Sequence, residues 1–404
     1  MTPDRLALYG GEPVRRDLLP YARQALTEDD IAAVVEVLRS EWLTTGPKVA
    51  EFEEAFASYV GAAHAVSFSS GTAALHGAVF AAGLEAGDEA VTTPLTFCAT
   101  ANCLLFQGAT PVFADVEAAT LNLDPDEVRR RLSSHTKAIL PVDYAGHPAD
   151  LDEVLALSER HGLVVIEDAA HALGARYRNR SIGSVSHMTV FSFHPVKHLT
   201  TGEGGMVTTD DDTFAHRMRM FRSHGIDIDF RQRESQNSWR YDMVALGHNF
   251  RLTDIGAALG HSQLHRLDAN LARRSEIATR YTEAFLELPG VTCPRVKADV
   301  QPAWHLYPLR LDLARASCGR EEIFRALKVE GVGVNVHYLP IHLHSYYRSR
   351  FGNRRGEYPI AEQAYEALIS LPMFPAMADD DVQDVLDAVR KVTRFFMAEM
   401  PAVL

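Results

Sequence analysis

Cysteine is scarce in this chain. The four cysteines among its 404 residues, Cys98, Cys103, Cys293 and Cys318, form no CxxC pair. Zinc ribbons, redox dithiols and disulfide scaffolds are disfavoured on that ground. Positive charge is also in deficit. Forty Lys and Arg stand against 53 Asp and Glu, a formal net charge of −13. No basic run breaks that balance, so the footprint that holds nucleic acid or anionic lipid is missing. Neither nucleic acid nor a membrane is expected as a partner, and any bound anion must be held by local geometry. Apolar runs stay well short of the roughly 20 residues that cross a bilayer. The opening Met1-Thr-Pro-Asp-Arg-Leu lacks the charged-then-apolar layout of a signal peptide, so the expected location is the cytoplasm. The rest is ordinary: 47% hydrophobic and 23% charged residues, enough to bury a core. At roughly 100–200 residues per domain, the length allows two or three domains.

The first half alternates in type. A helix is expected from Leu26, with Thr27 as N-cap and acidic residues in its first turn. Another should begin near Gly46-Pro47-Lys48, with Pro47 at its first position. Strands are expected at 63–68, 89–93, 111–114, 137–142 and 163–167. Between them fall helices at 72–82, 99–106 and 150–161. This alternation implies βαβ units and a mostly parallel sheet, and the near-continuous apolar strands imply cover on both faces. Short strands follow at 189–193 and 205–209, then a polar loop over 227–240. The stretch 252–288 reads as strongly helical. A smaller α+β unit follows, with a strand at 306–311 and helices at 320–329 and 380–398. The expected division is residues 1–265, with the N-terminal arm, and residues 266–404, with a bridging helix.

Ligands of such sheets sit at the carboxyl ends of the strands. One strand closes on Asp168. Another runs into His194-Pro195-Val196-Lys197, followed by the Gly-rich Thr200-Thr-Gly-Glu-Gly-Gly. A third ends in Ser69-Ser70-Gly71-Thr72 as a helix begins, which makes an anion cup from free N–H groups and the helix dipole. Taken singly, each has an ordinary reading: a helix cap, a turn aspartate, a surface lysine. Together, a phosphate cup, a carboxylate and a lysine are what pyridoxal 5′-phosphate needs. Its phosphate wants a helix N-terminus, its ring nitrogen a carboxylate, and its aldehyde a lysine. Phe97 is placed to stack on the ring. A nicotinamide-dependent oxidoreductase would need GxGxxG after the first strand, and that layout is absent. His337, His342 and His344 match no standard zinc spacing, and no metal is expected.

Longer motifs carry a resemblance. Trp42-Leu-Thr-Thr-Gly-Pro-Lys, Ser70-Gly-Thr-Ala-Ala-Leu, Glu167-Asp-Ala-Ala-His and Phe191-Ser-Phe-His-Pro-Val-Lys-His-Leu-Thr-Thr-Gly-Glu-Gly-Gly are four of them. Gly247-His-Asn-Phe-Arg-Leu and Gly333-Val-Asn-Val-His-Tyr-Leu-Pro are two more. With these the chain resembles the DegT/DnrJ/StrS aminotransferases, which transfer an amino group to nucleotide-linked keto-sugars. The resemblance implies the aspartate aminotransferase (fold type I) architecture, an α/β large domain with a smaller C-terminal α+β domain. It also implies pyridoxal 5′-phosphate as cofactor, L-glutamate as donor and a homodimer with shared active sites. Position by position, Lys197 resembles the Schiff-base lysine and Asp168 the partner of the ring nitrogen. His171 resembles the contact on the ring-hydroxyl side. Thr72, Ala73 and Ser192 match the phosphate contacts, and Phe97 the stacking aromatic. Asn249 matches a residue that reaches the neighbouring subunit's cofactor phosphate, and His337 a residue lining the sugar-nucleotide pocket. Arg251 is expected to be a structural ion-pair partner.

Relatives with histidine in place of the lysine are dehydratases, and the register here puts Lys197 at that position. Within the family, His-Pro-Val-Lys with Thr-Thr-Gly-Glu-Gly-Gly, Ser223-His-Gly-Ile and the His337 segment look most like the pseudaminic-acid branch. That branch aminates C4 of a UDP-linked 4-keto-6-deoxy-hexose. His198 departs from the proline that can follow the lysine there. The alternatives are another nucleotide-linked keto-hexose, aminated at C3 or C4, and a non-catalytic regulator that only binds the cofactor.

Overall fold

Apolar, β-branched runs such as Val164-Val-Ile and Met188-Thr-Val-Phe are buried along nearly their whole length, because helices cover both faces of the sheet they form. A computed structural model of the chain describes residues 5–228, 233, 235 and 237–397. The main sheet has seven strands: β1 (His64–Phe68), β2 (Glu89–Thr92), β3 (Thr110–Phe113), β4 (Thr136–Leu140), β5 (Val164–Asp168), β6 (Met188–Ser192) and β7 (Gly205–Thr209). Their spatial order is β1-β7-β6-β5-β4-β2-β3. Strands β2 to β6 pair in parallel, while β7 is antiparallel to both β6 and β1. Strand β1 therefore points the same way as β2 to β6, and six strands end at one edge.

Alternate residues divide between two cores. Val66, Phe68, Ile166, Val190 and Val207 pack with helices Gly71–Ala81, Ala99–Phe106 and Asp212–Phe221. Ala65, Phe191 and Met206 face the other way, towards Phe52, Phe56 and Leu264. The helix at Pro47–Val60 has Pro47 at its first turn, as expected, but its cap comes from far away. The buried Asp254 carboxylate accepts the N–H groups of Gly46 at 2.7 Å and Lys48 at 2.9 Å.

One expectation needs revision. The helical stretch 252–288 is broken at His265-Arg266 into Asp254–Leu264 and Leu267–Phe285. The first of these has its own N-cap, Thr253, whose hydroxyl accepts from Gly256 N–H at 3.1 Å. The short strands expected at 189–193 and 205–209 are present as β6 and β7, and both lie inside the main sheet. The end of the helix expected at 380–398 falls partly outside the described residues, which show Asp379–Phe396.

The smaller unit is an antiparallel sheet of β8 (Val291–Thr292), β9 (Tyr307–Leu311) and β10 (Leu368–Leu371). Leu309, Ile369, Ile323, Leu327, Val385 and Val389 form its core with helices Arg320–Val329 and Asp379–Phe396. Leu6 and Leu19 are buried in that same core. Leu19 N–H donates to the Gly331 carbonyl at 2.9 Å, and Arg15 pairs with Asp381 at 2.8 Å and Asp384 at 2.6 Å. We propose grouping residues 5–19 with the smaller unit rather than with 20–265, because they share its core. No helix among the described residues is long and apolar enough to cross a membrane.

Candidate active site

The common edge of the strands builds one cavity. β1 ends at Phe68, and Ser70 caps the helix Gly71–Ala81 by accepting the Ala73 N–H at 3.1 Å. The first-turn N–H groups of Gly71 and Thr72 have no helical partner. This cup lies hard against the ends of β6 and β7. A Cβ on Gly71 would stand 3.0 Å from Ser192 Cβ, and one on Gly205 would stand 2.6 Å from the Ser70 carbonyl oxygen.

Asp168 is the last residue of β5 and is buried. Its Oδ2 accepts the Thr100 hydroxyl at 2.7 Å, and its Oδ1 accepts the Ala170 N–H at 3.1 Å. Burial pushes the Asp168 carboxyl above the usual range, while those two donors and the Lys197 charge pull it back. β6 ends at Ser192, and the turn after it delivers Lys197, whose N–H donates to the His194 carbonyl at 2.9 Å. The Lys197 amine makes no hydrogen bond or ion pair among the described residues. Burial lowers its pKa to about 8, with the Arg274 charge adding to that and Asp168 opposing it. Arg274 is itself buried and has no carboxylate: its Nη1 donates to the carbonyls of Trp304, His305 and Met373 at 3.0–3.3 Å.

His171 lies three residues past Asp168. Its Nε2 meets the Tyr338 hydroxyl at 3.0 Å, its ring centroid is 4.3 Å from that of His305, and its buried Nδ1 has no hydrogen-bond partner among the described residues. Burial and the Lys197 charge hold His171 well below the usual imidazole range, so it is neutral. Phe97 is 56% exposed, an unusual state for phenylalanine, and it faces the cavity 6.1 Å from the Tyr338 ring. On the far wall, His337 Nδ1 meets the Ser370 hydroxyl at 2.8 Å, and burial lowers its pKa to about 4.

The cavity holds about 560 Å³. Thr72, Phe97, Asp168, His171, Ser192, Lys197 and His337 all line it. Ala73 stands behind the cup, its N–H taken by Ser70. Asn249 is exposed and outside the cavity of its own chain, bridged to Ser223. His342 leaves the histidine group for Glu362, at 2.9 Å. Arg251 departs from expectation. It lines a second cleft of about 570 Å³ with Arg219, Arg222 and Leu252, and its buried Nε has no hydrogen-bond partner among the described residues. Arg222 makes the ion pair in that region instead, with Glu53. Of the loop expected over 227–240, residues 229–232, 234 and 236 lie outside the described residues.

Sequence reasoning missed Thr100, Tyr338, His305 and Tyr21, all of which line the same cavity. Thr100 is three residues after Phe97, one helical turn away, which was the available signal. Tyr338 sits inside a motif already quoted, beside His337.

Comparison with known proteins matches this arrangement. The model of the DegT/DnrJ/EryC1/StrS aminotransferase family covers residues 24–390. The chain belongs to that family. SpsC, a spore coat polysaccharide biosynthesis protein of Bacillus subtilis, is 46% identical over 382 residues, covering 94% of this chain and 98% of that protein. PseC of Helicobacter pylori, an aminotransferase of pseudaminic acid biosynthesis, is 35% identical with a TM-score of 0.87, over 94% of this chain and all of that one (100%). Spr1654 of Streptococcus pneumoniae, solved in a PLP-form, is 30% identical with a TM-score of 0.87, over 94% of this chain and 99% of that one. The seven-stranded sheet with its single reversed strand is thus the sheet of a fold type I aminotransferase.

Proposed function

We propose that the chain is a pyridoxal 5′-phosphate-dependent aminotransferase that moves an amino group from L-glutamate to a nucleotide-linked keto-sugar. One observation carries this reading: a helix N-terminal cup, a buried carboxylate and an unpaired, depressed lysine amine converge on one cavity.

The residues present fit the cofactor. The cup at Gly71 and Thr72 suits its phosphate, with Ser192 beside it, and a Cβ at Gly71 would crowd that place. Asp168, oriented by Thr100, suits the ring nitrogen. Neutral His171, with its Nδ1 unpartnered, suits a ring substituent. Phe97 presents a face for stacking. When bound, the cofactor supplies an electron sink that acidifies the C–H bond next to the donor's amino group.

The chain's own residues do the rest. Lys197 would hold the cofactor's aldehyde carbon through its amine and, when free, would move a proton between the donor's α-carbon and C4′. A pKa near 8 leaves a useful share of that amine as free base at neutral pH. Asp168 holds the proton on the ring nitrogen. His337 and Tyr21 line the wall where the sugar nucleotide enters.

For the substrate, we favour C4 of a UDP-linked 4-keto-6-deoxy-hexose, supported by the quoted motifs and the likeness to PseC. A second reading is C3 or C4 of another UDP- or dTDP-keto-hexose, and the likeness to SpsC, named for spore coat polysaccharide rather than pseudaminic acid, favours keeping it. Incubating the purified protein with glutamate and a panel of 3-keto and 4-keto sugars on both nucleotides tests the reading. A mass gain consistent with amination of one member is expected. Bleaching by glutamate with no product from any sugar would eliminate the keto-sugar, and no response to glutamate would leave a cofactor-binding regulator.

The homodimer belongs to this proposal through Asn249, exposed on its own chain and reaching the partner's phosphate. Asn249→Ala is expected to weaken cofactor binding roughly ten-fold, the loss of one hydrogen bond to a charged group. Mixing it with Lys197→Ala should restore activity, since hybrid dimers hold one site with both residues intact. No recovery on mixing would separate the sites.

Gly71→Ala is the steric counterpart. Its methyl, 3.0 Å from Ser192 Cβ, forces the cup away from β6. Cofactor affinity is expected to fall roughly ten-fold with stability reduced by about 1–3 kcal/mol, as overpacking does. Equilibrium titration and thermal unfolding measure the two effects.

A further inference from the structure

Glu167 stands next to Asp168 on β5, so its side chain points to the opposite face of the sheet. It is fully buried, and so is Asp143 in the loop after β4. Val142, the residue before Asp143, bridges in parallel to Asp168, the residue after Glu167, and the two carboxyl groups act directly on each other. Two of their four oxygens are satisfied. Glu167 Oε2 accepts the Thr189 hydroxyl at 2.8 Å, and Asp143 Oδ1 accepts the Ala149 N–H at 2.8 Å. The other two, Glu167 Oε1 and Asp143 Oδ2, make no hydrogen bond among the described residues, and the Ser186 hydroxyl, likewise without a partner there, acts on Glu167 as its neighbouring donor. The cation that acts on Glu167, Arg180, is committed to Asp152 at 2.7 Å.

Two ionised carboxylates in buried contact repel, and burial disfavours each of them. One proton between them removes both problems. It satisfies two orphan acceptors with a single O–H···O⁻ bond and leaves one charge where there were two. We propose that Asp143 and Glu167 share one proton between Oδ2 and Oε1, and that this clamp positions Asp168 and His305. Burial and the neighbouring Glu167 and Asp168 charges hold the Asp143 carboxyl well above its usual range, in line with a bound proton.

The positioning follows from the backbone. Asp143 N–H donates to the Asp168 carbonyl at 3.1 Å, and Asp168 N–H donates to the Pro141 carbonyl at 2.8 Å. The next turn reaches the other wall. The Ala145 carbonyl accepts His305 N–H at 3.0 Å, and the Gly146 carbonyl accepts Ala303 N–H at 2.9 Å. Residues 141–146 thus join β5 to the segment that carries His305. The acid pair is the side-chain fastening of that joint to β5. Its use in catalysis rests on the proposed role of Asp168, while the shared proton does not.

Infrared difference spectra of the apo-protein at neutral pH, with hydrogen–deuterium exchange, test the proton. The wild type is expected to show the C=O stretch of a hydrogen-bonded carboxylic acid that is lost in both D143N and E167Q. In each variant the amide supplies the donor and the remaining acid ionises. No such band in the wild type, or one that survives both changes, overturns the proposal. This readout needs neither cofactor nor substrate, so it fails or succeeds apart from the functional reading. Positioning is read from cofactor affinity. E167Q should stay within roughly three-fold of wild type, and E167L, which orphans Asp143, should lose roughly ten-fold or more. Equal affinities for E167L and E167Q overturn the clamp. Should E167L fail to fold, the double variant D143N/E167Q decides. It keeps the contact without an acid, and retained affinity is expected, whereas a loss like that of E167L means that charge, not contact, is at work.

Discussion

Lys197→Ala is expected to abolish transamination, with kcat lowered by roughly 10³-fold or more. Both tasks given to this side chain are lost together: covalent capture of the aldehyde, and proton transfer, itself commonly about 10²–10⁴-fold. The structure offers no substitute in reach. His171, His305 and His337 surround the same space, yet burial holds all three below the ordinary imidazole range. His198, the next residue, is itself buried and donates its Nε2–H to the Ala303 carbonyl at 3.0 Å. The variant should still bind the cofactor through the cup and Asp168, but without the visible band of the lysine-bound form. A retained band would remove Lys197 from the role. The wild type gives a second check. With the amine pKa depressed to about 8, the rate of aldehyde capture by apo-protein should rise with pH and level off above that value. An exposed lysine would keep rising towards about 10.4.

The parts of this site that were legible in the sequence share a physical reason. Asp168, Ser192 and Ser70 are fixed by strand ends, and strand ends announce themselves as the close of apolar runs. Lys197 follows by the same logic, one turn beyond β6. What stayed hidden depends on distance along the chain. Arg274 sits on a helix whose pattern is unremarkable, and only folding places its charge among carbonyls from 304, 305 and 373. Tyr338 reaches His171 across 167 residues of chain. Asp254 caps a helix 206 positions earlier, so a search for a local cap at Gly46 finds nothing. The break at His265-Arg266 was missed because neither residue is a helix breaker. Arg266 is drawn out by Asp30, to which its Nη1 donates at 2.7 Å, a tertiary contact overriding local propensity. Arg251 was misread for a related reason: an arginine suggests a partner carboxylate, but Glu53 is already taken by Arg222.

Asp168→Asn carries the second large effect, and it should act in opposite directions on turnover and stability. Asparagine keeps the shape, and its amide oxygen still accepts the Thr100 hydroxyl, while its NH2 replaces the oxygen that accepted the Ala170 N–H. The negative charge is gone, and the amide now donates towards the ring nitrogen, favouring the unprotonated ring. Without that proton the ring withdraws fewer electrons, so kcat is expected to fall roughly 10²–10³-fold, the usual weight of one aimed electrostatic contact. Thr100→Val should do less, roughly five-fold, since it removes only the donor that orients the carboxylate. In the apo-protein the sign reverses. Burial raises the Asp168 pKa on folding, so the native state binds this proton more tightly than the unfolded chain. Its contribution to stability therefore falls as pH rises from the ordinary carboxyl value through the raised one. At neutral pH the wild type carries that penalty and the asparagine variant does not. Apo Asp168→Asn should therefore unfold at a higher temperature than apo wild type at pH 7, with the gap closing at acidic pH. A charge kept where the fold disfavours it is the mark of a residue retained for its chemistry. A variant that turned over within ten-fold of wild type, or an apo-protein destabilised by the change, would place Asp168 in the framework rather than at the ring.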